Sequence, residues 1–260
     1  MATVRKCEKG LLCGATCINK KYFCRDVLQK KLSDNLEQVV DVIGNADMPS
    51  IEGADHLAKG NYADIYRLGN GRILKVAHRD GGIGEFEIPL QTSLGSQGFA
   101  LQVYNSGKNW FTMEDASSLK PVLDTSDPKG YKLFLDEDGN EIKLKGKRLD
   151  DITQGLITLH KQGFSHNDLH GGNIMFDDNK AKLIDFGLSR RVAEDKRAVF
   201  RDIRKLSGVV DFDDNGSKYT KLIQATNSEF EEAKTLRGKA KQDLAISEAI
   251  DKYLAQLNLL

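Results

Sequence analysis

Apolar residues at Leu32, Leu36, Val39, Val40 and Ile43 recur three or four positions apart, which predicts a helix over that stretch. From His56 the pattern shortens. Tyr66–Leu68 and Arg72–Val76 flank Gly69-Asn70-Gly71, a turn that suits positive φ, and so predict a hairpin. A glycine cluster follows (Gly81, Gly82, Gly84), then a short helix is expected over Glu85–Leu94, kinked or delayed by Pro89. Leu101–Tyr104 and Trp110–Met113 read as strands, and Tyr131–Leu135 with Glu141–Leu144 as a second hairpin. Leu149–His160 carries Ile152, Leu156 and Leu159 on one helical face; short strands follow at Ile174–Phe176 and Lys182–Ile184. Beyond Glu194 the pattern is mostly helical. Its clearest run is Phe230–Leu257, with Ala233, Leu236, Leu244, Ile250 and Tyr253 as apolar positions. Strands first and helices last predict an α+β protein with two lobes, divided as a head over 1–33, a small lobe over 34–115 and a larger one over 116–260.

Composition narrows the classes. The 260 residues are 40% apolar and 29% charged, enough for a core and unlike a disordered chain. No apolar run approaches the roughly 18–20 residues of a membrane span, and Met1–Arg25 lacks the apolar stretch of a secretory signal. A cytoplasmic protein with no membrane partner is expected. Thirty-eight basic and 38 acidic side chains cancel, so no global field favours nucleic acid. The head differs from the body. Residues 1–32 hold eight Lys and Arg against Glu8 and Asp26, and all four cysteines, Cys7, Cys13, Cys17 and Cys24. Their C-x5-C-x3-C-x6-C spacing is not a standard zinc spacing, although four thiolates suffice for tetrahedral Zn2+; zinc, free thiols and disulfides all remain open. The basic side chains suit a solvated surface, or a contact with nucleic acid or an acidic partner.

The chemistry concentrates in His166-Asn167-Asp168-Leu169-His170-Gly171-Gly172-Asn173, followed after one strand pair by Ile184-Asp185-Phe186-Gly187. An aspartate, an amide five residues on and a second carboxylate supply the hard oxygens that Mg2+ and phosphate chemistry require. This segment resembles the catalytic loop and magnesium motif of the protein-kinase-like superfamily, H-x-D-x-x-x-x-N followed by D-F-G. The resemblance implies a two-lobed kinase fold and binding of ATP. It makes Asp168 the catalytic base, Asn173 and Asp185 the magnesium ligands, and His166 a prop for the loop. Upstream, Ala58–Ile65 aligns with the glycine-rich loop, with alanine where the first and third glycines usually stand; Gly60, Tyr62, Ala63 and Ile65 would line the nucleotide. Lys75 resembles the strand lysine that holds the α- and β-phosphates, with Glu85, in preference to Glu87, as its partner. Met113 would back the adenine pocket, and the backbones of Glu114 and Ala116 would bond adenine.

Three departures bear on the acceptor. Asn167 stands where many kinases have the arginine that grips an activation-loop phosphate. His170 replaces the lysine usual in Ser/Thr kinases, as in aminoglycoside and choline kinases. Sixteen residues separate Asp185 from Asp202, and no A-P-E motif lies between them. Similar truncation occurs in the small kinase of the KEOPS tRNA-modification complex and in compact bacterial effector kinases. The resemblance therefore implies a minimal Ser/Thr protein kinase that needs no activation-loop phosphate and recognises a folded acceptor. A small-molecule kinase and a nucleotide-binding pseudokinase scaffold are the alternatives. The intact set of Lys75, Asp168, Asn173 and Asp185 argues against the scaffold.

Overall fold

A computed structural model describes residues 11–13, 16–18, 54–60, 62–68, 71–78, 82–121, 123–124, 132–133, 143–212 and 216–260. The helix expected over Leu32–Ile43, Cys7, Cys24, Asn61, the turn residues Gly69 and Asn70, and most of the second hairpin lie outside them. The backbone of Cys13 and Cys17 is described as part of a small hairpin, β1 (Leu11–Cys13) against β2 (Thr16–Ile18). The chain divides into two compact units, one of 1–88 with 102–115, the other of 89–101 with 116–260.

The first unit is built on a five-stranded antiparallel sheet. Its strands are β3 (Asp55–Lys59), β4 (Ala63–Leu68), β5 (Arg72–Ala77), β6 (Val103–Gly107) and β7 (Trp110–Glu114), in the order β3-β4-β5-β7-β6. The β4–β5 hairpin pairs Leu68 with Arg72 and turns through Gly71 at φ 73°, a conformation glycine adopts without Cβ strain. Tyr66, Leu74, Trp110 and Phe111 are its largest fully buried side chains and fill the core.

Helix α1 (Glu87–Gly95) begins two residues later than its pattern suggests, and Pro89 sits in its first turn, where a missing N–H breaks no helical bond. From Pro89 to Leu101 the chain belongs with the second unit. The Phe99 carbonyl accepts from the Leu183 N–H at 2.8 Å, Ala100 bridges Leu183, and Ser93 receives a bond from Gln162.

In the second unit, β8 (Lys120–Pro121) lies beside Met175 and Phe176, while β9 (Leu123–Asp124) pairs with β10 (Lys132–Leu133). The described part of the second hairpin thus pairs with upstream residues, and Leu144 instead bridges Val210. Helix α2 (Lys147–Lys161) buries Leu149, Ile152, Leu156 and Leu159. After it come β11 (Phe164–Ser165), the pair β12 (Ile174–Phe176) and β13 (Ala181–Leu183), and β14 (Arg190–Arg191), which pairs with β11. Three helices follow: α3 (Arg197–Ser207), α4 (Lys218–Thr235) and α5 (Lys239–Leu257). The run expected as one helical stretch over Phe230–Leu257 is broken at Gly238, where φ is 93°. The break leaves Leu236 and Leu244 exposed, whereas Phe230, Ala233, Ile250 and Tyr253 are buried. The α+β architecture agrees with the sequence pattern. Among the described residues no helix is long and apolar enough to cross a membrane.

Candidate active site

In the first unit, Lys75 is the half-covered member of an otherwise buried strand segment, and its Nζ pairs with the Glu87 carboxylate. Glu87 is the partner, and Glu85 is not: Glu87 is 1% exposed at the start of α1, while Glu85 lies exposed in the preceding turn. The Gly84 N–H donates to Glu87 Oε2 at 3.2 Å, and the Glu87 N–H returns a bond to the Gly84 carbonyl at 3.0 Å. The last glycine of the cluster therefore seats the glutamate. A buried cation–carboxylate pair of this kind has little net stability to give and holds the lysine in one place.

The aligned glycine-rich loop is a tight turn. The Gly60 N–H donates to the Ala63 carbonyl at 2.8 Å, and a Cβ at Gly60 would meet that oxygen at 3.1 Å. Ala63 is buried, Ile65 half-buried and Tyr62 exposed. Met113 is buried on β7 between Ile73 and Val103. The Glu114 N–H is committed to the Gln102 carbonyl at 2.8 Å, so of its backbone groups the carbonyl is the one suited to a ligand donor. In the second unit, the Ala116 carbonyl accepts from Leu119, which points to the Ala116 N–H for a ligand acceptor.

The second unit holds the catalytic-loop motif. Asp202 of α3, 1% exposed, takes the His166 N–H on Oδ2 at 2.7 Å and the Asn167 N–H on Oδ1 at 2.8 Å. His160 Nε2 adds a third bond at 3.2 Å, and its Nδ1 lies 2.7 Å from the Tyr253 hydroxyl. Burial, and then the Asp202 charge, push the Tyr253 hydroxyl well above its ordinary range, so it stays a donor. The chain Tyr253–His160–Asp202 thus fixes the loop backbone with its donors and acceptors matched. His166 Nε2 lies 2.9 Å from the Ile184 carbonyl and its ring packs on Phe186 with centroids 5.0 Å apart, tying the loop to the residue before Asp185.

Asn173 Nδ2 donates to the Asp168 carbonyl at 2.9 Å and reaches Asp168 Oδ2 at 3.4 Å. With Nδ2 so used, Oδ1 is the side-chain atom of Asn173 that suits a cation. Asp185 is held at φ 62° and Asn167 at φ 63°; among the described residues these are the two positive-φ positions that are not glycine. Such strain concentrates where surrounding structure over-determines the chain. The amide oxygen of Asn173 and the carboxylates of Asp185 and Asp168 are hard donors that fit Mg2+. Among the described residues no group of three His, Cys, Asp or Glu is disposed to hold a metal alone; Cys7 and Cys24 lie outside those residues.

Comparison with known proteins bears on the same residues. Residues 112–208 match the protein kinase domain family. That segment is protein-kinase-like. The chain is 30% identical over 156 residues to serine/threonine-protein kinase PLK4 of Nematostella vectensis, covering 54% of this chain and 15% of that protein. Over 87 residues it is 33% identical to the serine/threonine-protein kinase/endoribonuclease IRE1b of Arabidopsis thaliana, covering 32% of this chain and 10% of that one. Over 39 residues it is 54% identical to the probable serine/threonine-protein kinase mkcD of Dictyostelium discoideum, covering 15% of this chain and 6% of that protein. The chain therefore spans a small part of each relative's length.

Within this matched segment, His170 is placed by its own loop. Its Nδ1 accepts the Gly172 N–H at 3.1 Å, capping the turn Gly171–Asn173, and its Nε2 lies 3.9 Å from Asp168 Oδ2. Burial outweighs the Asp168 charge and lowers its pKa below 6.5, so the ring is neutral at neutral pH with the proton on Nε2. The sequence reading did not single out Glu87 over Glu85, nor the roles of His160 and Tyr253. A faint signal for His160 was present: it falls four residues after Leu156 on the apolar face of α2.

Proposed function

We propose that this chain transfers the γ-phosphoryl group of ATP, with Mg2+, to serine or threonine hydroxyls of a protein, and that no activation-segment phosphate is needed. The observation that carries the reading is the arrangement of Asp168, Asn173 and Asp185 around an aspartate-anchored loop. Bound Mg2+ would neutralise charge on the phosphates, held by Asp185 and by Asn173 Oδ1. Lys75, pinned by Glu87, orients the α- and β-phosphates; Gly60, Tyr62, Ala63 and Ile65 cover the nucleotide, and Met113, Glu114 and Ala116 take the adenine. Asp168, tethered through Asn173, orients the acceptor hydroxyl and takes its proton as the bond to phosphorus forms.

Regulation follows from the sequence between Asp185 and Asp202. Ser189 is its one hydroxyl residue, and it is 9% exposed. Acceptor recognition then falls to folded surfaces, including residues 131–144, the C-terminal helices and the basic head, in a cytoplasmic setting. Short isolated peptides are expected to be poor acceptors.

The test is incubation of phosphatase-treated protein with labelled ATP and either a casein-type protein or small alcohols such as choline and an aminoglycoside. Label on the protein supports the reading. Label on the small alcohols favours small-molecule phosphorylation, the alternative that His170 beside Asp168 keeps open. Binding of ATP without transfer would make the chain a scaffold. Asp185→Ala is expected to abolish Mg-dependent transfer with an unchanged unfolding midpoint. Asp168→Asn is expected to lower kcat by roughly 100- to 10,000-fold with ATP binding retained; an equal loss of ATP binding would assign Asp168 a structural role instead.

A further inference from the structure

Asn167 occupies the position at which the kinase resemblance expects a phosphate-gripping arginine, yet both polar atoms of its side chain are engaged. Nδ2 donates to the Leu188 carbonyl at 3.0 Å, joining the catalytic loop to the segment after Asp185. Oδ1 accepts from Arg201 Nη2 at 2.7 Å. The same Nη2 donates to Asp195 Oδ2 at 2.5 Å, so its two N–H bonds are divided between an amide and a carboxylate. Asp195 does not depend on a mobile loop for its place. Its N–H donates to the Arg191 carbonyl at 3.3 Å, and its own carbonyl accepts from Ala198 at 3.0 Å, at the entry to α3. Arg201 and Asp202 are consecutive on α3: one grips the Asn167 side chain, the other its backbone N–H.

We propose that Asp195 and Arg201 are positioning residues for phosphotransfer, forming a permanent carboxylate–guanidinium–amide clamp in place of a phosphorylated residue on the activation segment. A phosphate in that role supplies negative charge to a guanidinium that braces the catalytic loop. Here the charge is encoded as Asp195, the guanidinium has moved from position 167 to position 201, and Asn167 relays the contact to Leu188. The buried Ser189, alone among residues 186–201 in carrying a hydroxyl, leaves the segment with no exposed acceptor for a regulatory phosphate. Asn167 suits the relay on two counts. An amide can accept from Arg201 while donating to Leu188, and asparagine tolerates the left-handed backbone found there.

The clamp is solvent-facing: Arg201 is 44% exposed and Asp195 30%. Exposed pairs contribute little to global stability, so its loss should register in catalysis and local motion and leave the unfolding midpoint in place. The proposal rests on the phosphotransfer reading above, and the experiment separates the two. Full-length Arg201→Met, Asp195→Ala and Asp195→Glu are compared with wild type by hydrogen exchange over 166–168 and 186–190, by urea unfolding, and by kcat and KM for ATP. Arg201→Met and Asp195→Ala are expected to exchange faster in both segments with an unchanged urea midpoint. Their kcat should fall by about 10- to 100-fold, the scale of a small misplacement, with KM for ATP retained. Asp195→Glu should match wild type. Wild-type exchange or undiminished kcat in both disruptive variants overturns the clamp, as does an Asp195→Glu protein that behaves like Asp195→Ala. If wild type transfers no phosphate, the functional reading fails and exchange alone decides whether the clamp exists.

Discussion

At the scale of single residues, a few carboxylates organise the second unit, and each works by satisfying donors that would otherwise be orphaned. Asp202 does so for the catalytic loop, and Asp150 does so at the junction of α2 and α4. Asp150 Oδ1 accepts the Ser217 N–H at 3.0 Å and the Thr220 hydroxyl at 2.7 Å, while Ser217 caps α4 through the Thr220 N–H. Burial raises the Asp150 pKa, but the bonds from Thr220 and Ser217 outweigh it and hold the carboxyl below its usual 3.8. A depressed folded-state value gives stability that is complete above the unfolded value and is lost as pH falls through the lower folded one. Asp150→Ala is therefore expected to lower the urea midpoint at neutral pH and to lose least, relative to wild type, at the acid end. A difference between the two proteins that stays constant through the acid limb would show that the ionised carboxylate is not the acting group. The proposed catalytic carboxylates and Lys75 stand out in the sequence because their motifs are local: Asp168 to Asn173 is five residues. Asp150 does not, since its partners lie 67 and 70 residues away and an aspartate in a first helical turn reads as ordinary.

At the scale of elements, hydrophobic spacing located α2, β5, β7 and the β12–β13 pair to within a few residues, because in each the buried face sets the period. It failed where a tertiary partner or one backbone angle decides the boundary. Pro89, read as kinking or delaying α1, lies in a first turn that needs no N–H, and the helix starts two residues late; Gly238 divides the final helical run at a left-handed angle that periodicity cannot register. Gly155 shows the same limit. In the middle of α2, alanine would normally gain about 1 kcal/mol over glycine. Here an added Cβ would stand 3.0 Å from Phe99 Cβ and 3.5 Å from Leu183 Cδ1, on the segment whose backbone joins β13. Phe99 Cβ lies next to its own backbone and cannot swing aside. Gly155→Ala is expected to destabilise by about 1–3 kcal/mol in urea titration, the usual range for an overpacked core. A stabilised variant would mean that the segment carrying Phe99 can shift.

At the scale of the whole molecule, residues far apart in the chain converge on one loop. His160 and Tyr253 are 93 residues apart, and His160 joins Tyr253 to the carboxylate that holds His166 and Asn167. Tyr253→Phe keeps the ring but leaves His160 Nδ1 buried without its donor. The expected cost is about 1–3 kcal/mol of stability, together with a lower kcat; a variant equal to wild type in both would show that His160 finds another partner. Distance in sequence has a further consequence, for the order in which the protein comes into being. Synthesis runs from the N-terminus, so Lys75, Asp168 and Asp185 all leave the ribosome before α5. Until that helix docks, His160 lacks Tyr253 and the loop lacks its full support. A message cut short before α5 would yield a chain that carries every signature residue without the Tyr253 bond that completes the support of their loop.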